Sequence, residues 1–232
     1  MSGEPTGEVR PENSDASIKV RVVSQNELFR MSNRALDLVE VDIEKNVYWL
    51  ETDGKTPILN KGAGPCLIMF VKNIGDGTII SGHFSGRIAD HQLSQEILKT
   101  HLKKVQKEIP NEGDEILIHS QQELDNLAIS DKEMYRSYLA LLDRIKEFCS
   151  EAGEARIEIY LFGQNYWRLV SEPDEIGGLT ENIIQRQNVV TDLERLGVKP
   201  PRIFDYRDLK RLEGTDDTLF LPEEDVILHA TG

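Results

Sequence analysis

The sequence predicts an α+β protein, and three observations support that class. Short segments with strand-like alternation of apolar and polar side chains recur along the chain, as at residues 18–23 and 157–162. Two further apolar segments, residues 67–71 and 78–83, flank an Asn-Ile-Gly-Asp-Gly turn, which predicts an antiparallel hairpin. Stretches with helical spacing of apolar residues lie between the strands. Antiparallel strands mixed with helices define the α+β class.

Local patterns predict the individual elements in order. Residues 1–17 are polar and rich in Gly, Pro, Ser and Glu, which predicts a disordered tail before a single domain, residues 18–232. Strands are predicted at Ile18–Val23, Val39–Ile43 paired with Val47–Leu50, Leu67–Val71, Thr78–His83, Ile116–Ile118, Ile157–Phe162, Ile203–Tyr206 and Val226–Leu228. Helices are predicted at residues 90–109, 131–150 and 181–196, the second after a capping box formed by Ser130 and Glu133. The first two helices lie in a helical insertion at about residues 88–155.

Composition narrows the class of partner. The formal net charge of −14 opposes binding to a phosphate backbone, so nucleic acid is not expected as a partner. No apolar run approaches the roughly 18 residues that span a bilayer, and the polar N-terminus does not resemble a signal peptide. We therefore expect a cytoplasmic protein without membrane insertion. The two cysteines are too far apart for a zinc motif, and no dinucleotide or phosphate-loop motif occurs, so no cofactor or metal is expected.

Cys66 and His83 form the candidate catalytic pair. If the hairpin turns at Ile74 and Gly75, the two residues are equidistant from the turn and stand opposite each other. Side chains of an opposite pair share a face, with Cβ atoms about 4.5–5.5 Å apart, which is close enough for a thiol to hydrogen-bond to an imidazole. A shift of one residue in the register would place them on opposite faces.

A thiol beside an imidazole indicates nucleophilic chemistry. An unperturbed thiol has a pKa of about 8.5 and is mostly neutral at pH 7. A neighbouring imidazole can take its proton, and the resulting thiolate attacks the carbonyl of an amide, ester or thioester. The glycine-rich residues 62–65 before Cys66 could present backbone N–H groups to the oxyanion that forms. Each residue alone is more typical of ordinary packing than of catalysis, since cysteine is often a small buried apolar residue. Only the two together, across a hairpin and behind a glycine-rich segment, are as typical of catalysis as of packing.

A family resemblance adds to this interpretation. The segment Asn60-Lys61-Gly62-Ala63-Gly64-Pro65-Cys66, with His83-Phe84 seventeen residues after the cysteine, resembles the core signature of the chemoreceptor glutamine deamidases (CheD). Leu161-Phe162-Gly163, Ile176-Gly177 and Leu196-Gly197-Val198 resemble later parts of the same family in the same order. The resemblance covers roughly residues 45–90 and 155–210.

The resemblance implies a fold, an activity and a set of site residues. The fold would be an α/β/β sandwich of mixed and antiparallel sheets with flanking helices. The reaction would convert a glutamine side chain of a protein, a chemoreceptor or another partner, to glutamate with release of ammonia. The resemblance makes Cys66 the nucleophile, His83 the general base and Asn60 the residue that orients the imidazole. The substrate would contact Gly64, Pro65, Phe84 and Phe162.

The sequence also departs from the family pattern. Asn60 stands where the family has threonine, and Pro65 replaces a serine and so removes one backbone donor from the loop before Cys66. Ser85-Gly86 replaces the usual Leu-Pro after the His-Phe pair. Two alternatives therefore stay open: a binding protein that keeps the sandwich without catalysis, and a related cysteine hydrolase such as a protease or a transglutaminase.

Overall fold

The computed structural model describes residues 16–61, 66–84, 132–152, 156–163, 189–198, 202–206 and 217–230. In these parts of the chain, two mixed five-stranded sheets and three α-helices form a layered α+β sandwich. The predicted fold class is therefore confirmed. The predicted helix at residues 90–109, the strand at Ile116–Ile118 and the cap residue Ser130 lie outside the described residues.

The elements have the following bounds. The strands are β1 (Lys19–Val23), β2 (Val39–Val41), β3 (Trp49–Thr52), β4 (Ile58–Asn60), β5 (Leu67–Asn73), β6 (Ile79–Phe84), β7 (Ile157–Gly163), β8 (Ile203–Asp205), β9 (Asp217–Leu221) and β10 (Val226–Ala230). The helices are α1 (Gln25–Ser32), α2 (Lys132–Ala152) and α3 (residues 189–195). None of these helices is both long enough and apolar enough to cross a membrane.

Strand pairing divides the chain into two sheets. The first sheet has the order β1-β10-β9-β4-β2, with parallel pairs at its two edges and antiparallel pairs in its centre. The second sheet has the order β3-β6-β5-β7-β8, and only β7 and β8 are parallel. The predicted pairing of Val39–Ile43 with Val47–Leu50 is wrong, because β2 and β3 lie in different sheets and a single bridge between Asp42 and Val47 joins those segments.

Three apolar clusters hold the layers together. Between the sheets lies a core that includes Ile58, Phe70, Phe162, Phe220 and Ile227. The outer face of the second sheet packs against α2 and α3, whereas the outer face of the first sheet packs against α1. Burial of these side chains contributes about 25 cal/mol for each Å² of apolar surface removed from water.

Two of the three predicted helices lie at least partly on described residues, and both are helical there. In α2, apolar residues recur at spacings of three and four and are buried against the second sheet, as Tyr138, Leu141 and Ile145 show. The predicted helix at residues 181–196 is helical at residues 189–195, and its first residues lie outside the described part. Leu193 is fully buried in the same cluster.

Some elements escaped prediction because their local signal is weak. The helix α1 has eight residues and buries only Leu28 and Ser32, although Ser24 caps it by accepting a hydrogen bond from the N–H of Glu27. The strand β4 has only three residues, and β9 mixes polar and apolar residues without strict alternation. These strands form because neighbouring strands pair with them, which a local pattern does not report.

The end of the predicted tail also needs correction. Ser17, assigned to the tail, donates hydrogen bonds from its N–H (3.1 Å) and its hydroxyl (2.5 Å) to Oε2 of Glu158 in the second sheet. Ala16 packs against the core between the sheets. The ordered domain therefore includes both residues.

Candidate functional site

The hairpin of β5 and β6 carries the candidate pair. Leu67 stands opposite Phe84, and Ile68 stands opposite His83. Cys66 precedes β5 by one residue, so His83 is its diagonal neighbour across the ladder and not its direct partner. The predicted register, with Cys66 opposite His83, is therefore wrong by two residues.

The turn between the strands causes this shift. It contains four residues, 74–77, because Asn73 pairs with Thr78 through an N–H···O=C bond of 2.9 Å. Gly77, and not Gly75, takes the positive φ of 84° that the turn requires. Side chains stabilise the longer loop: Oδ1 of Asn73 accepts from the N–H of Gly75 (2.9 Å), and Oδ1 of Asp76 accepts from the N–H of Thr78 (2.8 Å).

A shift of two residues leaves the pair on one face of the sheet. Side chains alternate along a strand, so Cys66 shares a face with Ile68, and His83 stands opposite Ile68 on that same face. Ile68 belongs to the core between the two sheets. His83 therefore faces the opposite sheet, and the same alternation, extended one residue back from the start of β5, assigns Cys66 to that face; Cys66 is 7% and His83 0% exposed.

Burial makes His83 a neutral imidazole. Removal from water lowers its pKa from 6.5 to about 4, and the charge of Asp42 opposes that effect only partly. Neither ring nitrogen has a hydrogen-bond partner among the described residues. The predicted hydrogen bond from the thiol of Cys66 to the imidazole is therefore not formed in this structure.

Asn60 also lies in this region but has other partners than predicted. Its Nδ2 donates to Oγ of Ser81 at 3.0 Å and to Oγ1 of Thr218 at 3.3 Å, while Oγ of Ser81 lies 3.3 Å from Oδ1 of Asn60. The predicted hydrogen bond between Asn60 and His83 is thus absent. The amide instead links β4 of the first sheet to β6 of the second.

The predicted substrate-contacting residues separate into three groups. Phe84 lies on the opposite face of the second sheet, where its ring meets the ring of Tyr138 edge-on at 5.5 Å. Phe162 does face the core between the sheets, as the second diagonal neighbour of Cys66. Gly64 and Pro65 lie outside the described residues.

An aromatic cluster surrounds Phe162 on this side of Cys66. The ring of Tyr206 stacks on Phe162 with a centroid distance of 5.1 Å and an interplanar angle of 8°. The ring of His229, on β10, lies 5.4 Å from Phe162 at a tilt of 34°. Burial raises the pKa of Tyr206 to about 12, so its hydroxyl keeps its proton at neutral pH. The diagonal neighbours of Cys66 are therefore the imidazole of His83 on β6 and the aromatic cluster around Phe162 on β7.

Sequence reasoning did not single out Ser81, Thr218 or His229. Ser81 had a usable signal, because it lies two residues before His83 and so shares its face. Thr218 and His229 stand opposite each other in β9 and β10 and face the core between the sheets. No local pattern could place Thr218 beside Asn60, since β9 was not predicted and the two paired strands are distant in sequence.

Strand ends gather these residues at one end of the sandwich. Asn60 ends β4, Cys66 precedes β5 after a short connection, and Phe84 ends β6. Gly163 ends β7 beside Leu67. Such an arrangement places a thiol, a neutral imidazole and hydroxyl groups within one end of the core, and it can support acyl transfer if a carbonyl group reaches the thiol.

Neither a scan against protein-family models nor a search of curated proteins finds a match to this chain.

Proposed function

We propose that this protein is a cysteine-dependent protein-glutamine deamidase in which Cys66 is the nucleophile and His83 the general base. The observation that carries the proposal is the register of β5 and β6, which places His83 on the inward face as the diagonal neighbour of Cys66, one residue before β5. Diagonal neighbours are about 7–8 Å apart, within reach of each other after side-chain rotation. Catalytic hydrogen bonds are often long without substrate and tighten when it binds.

The protonation state of His83 agrees with the role of a base. With a pKa of about 4, the imidazole is unprotonated at neutral pH and can accept the proton of Cys66. The same burial disfavours the imidazolium, so His83 rests as a neutral imidazole. Proton transfer is therefore coupled to attack on the substrate and does not precede it.

The reaction then proceeds in two balanced steps. The sulfur of Cys66 attacks the carboxamide carbon of glutamine while His83 takes the thiol proton, and that proton leaves with the nitrogen as ammonia. A thioester between Cys66 and the substrate remains. His83 then takes a proton from water while the water oxygen bonds to the acyl carbon of the thioester. The carbon–sulfur bond breaks, glutamate leaves, and the proton returns to the sulfur of Cys66.

An activity assay tests this proposal. We would incubate a chemoreceptor cytoplasmic domain with the full-length protein and measure ammonia release together with glutamine-to-glutamate conversion by peptide mass spectrometry. Cys66→Ala and His83→Gln should abolish turnover, while Cys149→Ala, which removes the buried thiol on α2, should retain it. Full turnover by Cys66→Ala would rule out the mechanism.

A second candidate function has its own observation. The amide of Asn60 is occupied by Ser81 and Thr218, and His83 is fully buried, as expected if the sandwich serves as a binding module without catalysis. Alkylation by iodoacetamide separates the two candidates, because Cys66 and Cys149 are similarly buried, at 7% and 9% exposure. A deamidase should label Cys66 about tenfold or more faster than Cys149 at pH 7, in a His83-dependent way. Equal rates favour the binding module.

The proposed partner is a protein that carries a reactive glutamine, and the proposed location is the cytoplasm. The net charge of −14 favours a protein partner over a nucleic acid. We propose no cofactor, because the two steps need only a thiol, a base and water.

A further inference from the structure

A small polar network crosses the apolar core between the two sheets. It consists of Asn60, Ser81 and Thr218, each 0% exposed. Their neighbours along the strands on the same faces, Ile58 and Phe220, belong to the apolar core. A buried amide and two hydroxyls in such surroundings need hydrogen-bond partners, and here they bond to each other.

The network has a defined geometry. Nδ2 of Asn60 lies 3.0 Å from Oγ of Ser81 and 3.3 Å from Oγ1 of Thr218, so both amide N–H groups have an acceptor. Oδ1 of Asn60 accepts from the hydroxyl of Ser81 at 3.3 Å. The amide is thereby held in one orientation, with one partner in each sheet.

The positions of these residues connect the network to the candidate pair. Asn60 ends β4 and lies six residues before Cys66. Ser81 lies two residues before His83, on the same face of β6. The hydrogen bond between Asn60 and Ser81 therefore connects the end of β4, where the segment that leads to Cys66 begins, to β6, which carries His83.

We propose that the Asn60–Ser81–Thr218 network is the positioning device of the Cys66–His83 pair, acting through the strands without touching the imidazole. This inference rests on the proposed catalytic pair. Hydrogen bonds are directional, whereas apolar contacts between sheets tolerate sliding, so a polar link at this end fixes the end of β4, where the segment that leads to Cys66 begins, relative to the strand that carries His83. Ser81 and Thr218 are accordingly positioning residues and not catalytic ones.

The test uses iodoacetamide and the full-length protein. The measured quantity is the ratio of the alkylation rates of Cys66 and Cys149 at pH 7. Ser81→Ala removes one partner of the amide, and Thr218→Val removes the other with little change of shape, so Thr218→Val serves if Ser81→Ala does not fold. Thr218→Ser keeps the hydroxyl and should restore the wild-type ratio. Tyr160→Phe removes a buried hydroxyl hydrogen-bonded to Ile18 and Glu158, and it is the matched control.

The same variants are then made in the His83→Gln background, which forms a double-mutant cycle. We expect Ser81→Ala to lower the rate ratio about tenfold in the wild-type background and to leave it unchanged when His83 is absent. Tyr160→Phe should leave the ratio unchanged in both backgrounds.

Three results would overturn the inference, and they differ in whether the proposed catalytic pair is overturned with it. A wild-type ratio that depends on His83 but does not respond to Ser81→Ala or Thr218→Val would overturn the network alone, as would an equal effect in both backgrounds. A wild-type ratio already equal to that of His83→Gln would overturn the proposed catalytic pair, and the positioning role with it.

Discussion

The imidazole of His83 lies diagonally across the β5–β6 ladder from the thiol of Cys66, with Ile68 directly opposite the imidazole. Both side chains are buried, and that of His83 faces the core between the sheets. A hydrogen bond between them requires that the two side chains rotate towards each other. In this structure the two side chains are therefore offset, and the proposed chemistry needs them closer together.

The stability of the protein should depend on pH through His83. Its pKa is about 4 in the folded protein and about 6.5 when unfolded, so between these values the unfolded chain binds more protons. Stability from this group is fully present above pH 6.5 and is lost as the pH falls towards 4, by about 3 kcal/mol in total. Urea denaturation at pH 7 and pH 4.5 measures this loss, and His83→Gln should reduce it. An equal loss in both proteins would contradict the prediction.

Two glycines with positive φ should respond differently to alanine. Gly54 has a φ of 75°, and a Cβ there would overlap the backbone of Gly77, whereas a Cβ at Gly77, with a φ of 84°, meets nothing within 4 Å. We expect Gly77→Ala to cost about 1 kcal/mol from backbone strain and Gly54→Ala clearly more. The free energy of unfolding of each variant, compared with wild type, checks this. Equal costs would show that the loop with Gly54 can move away from the backbone of Gly77 at little cost in free energy.

Phe84 and Phe162 should have distinct effects on Cys66. Both are fully buried, and shortening either to leucine should cost about 1–3 kcal/mol. Phe84 packs on α2, whereas Phe162 shares the inward face with Cys66, so only Phe162→Leu should change the rate of Cys66 alkylation relative to Cys149. A change caused by Phe84→Leu would return Phe84 to the candidate site.

The hydroxyl of Tyr160 should hold β1 to the second sheet. It accepts from the N–H of Ile18 at 2.9 Å and donates to Glu158 at 2.7 Å. Tyr160→Phe leaves that buried N–H without its partner, which should cost about 1–3 kcal/mol. It should also speed hydrogen exchange at Ile18.

The matched control for this variant is Tyr138→Phe. It removes one hydrogen bond of 3.1 Å to the partly exposed Asp192 and should cost less. A smaller loss for Tyr160→Phe than for Tyr138→Phe would show that Ile18 finds another acceptor.

The sequence alone identified most of the larger elements and the shared face of the pair. Alternation and helical spacing are local properties, so the hairpin strands, β7 and α2 could be predicted from residues close together in the chain. The error in the register does not change the assignment of Cys66 and His83 to one face, because a shift of two residues leaves each side chain on the same face of the sheet. The strands β4 and β9 could not be predicted because their local sequence pattern is weak and they form by pairing with strands distant in sequence.

Tertiary structure alone decided what the candidate residues contact. The diagonal offset depends on Asn73 and Asp76, whose side chains stabilise a four-residue turn where the glycines also permit a shorter one. Asn60 donates a hydrogen bond to Ser81, and not to His83 as predicted, because the two sheets pack face to face. Alternation determines which way a side chain points, but only the packing of whole sheets determines what it meets there.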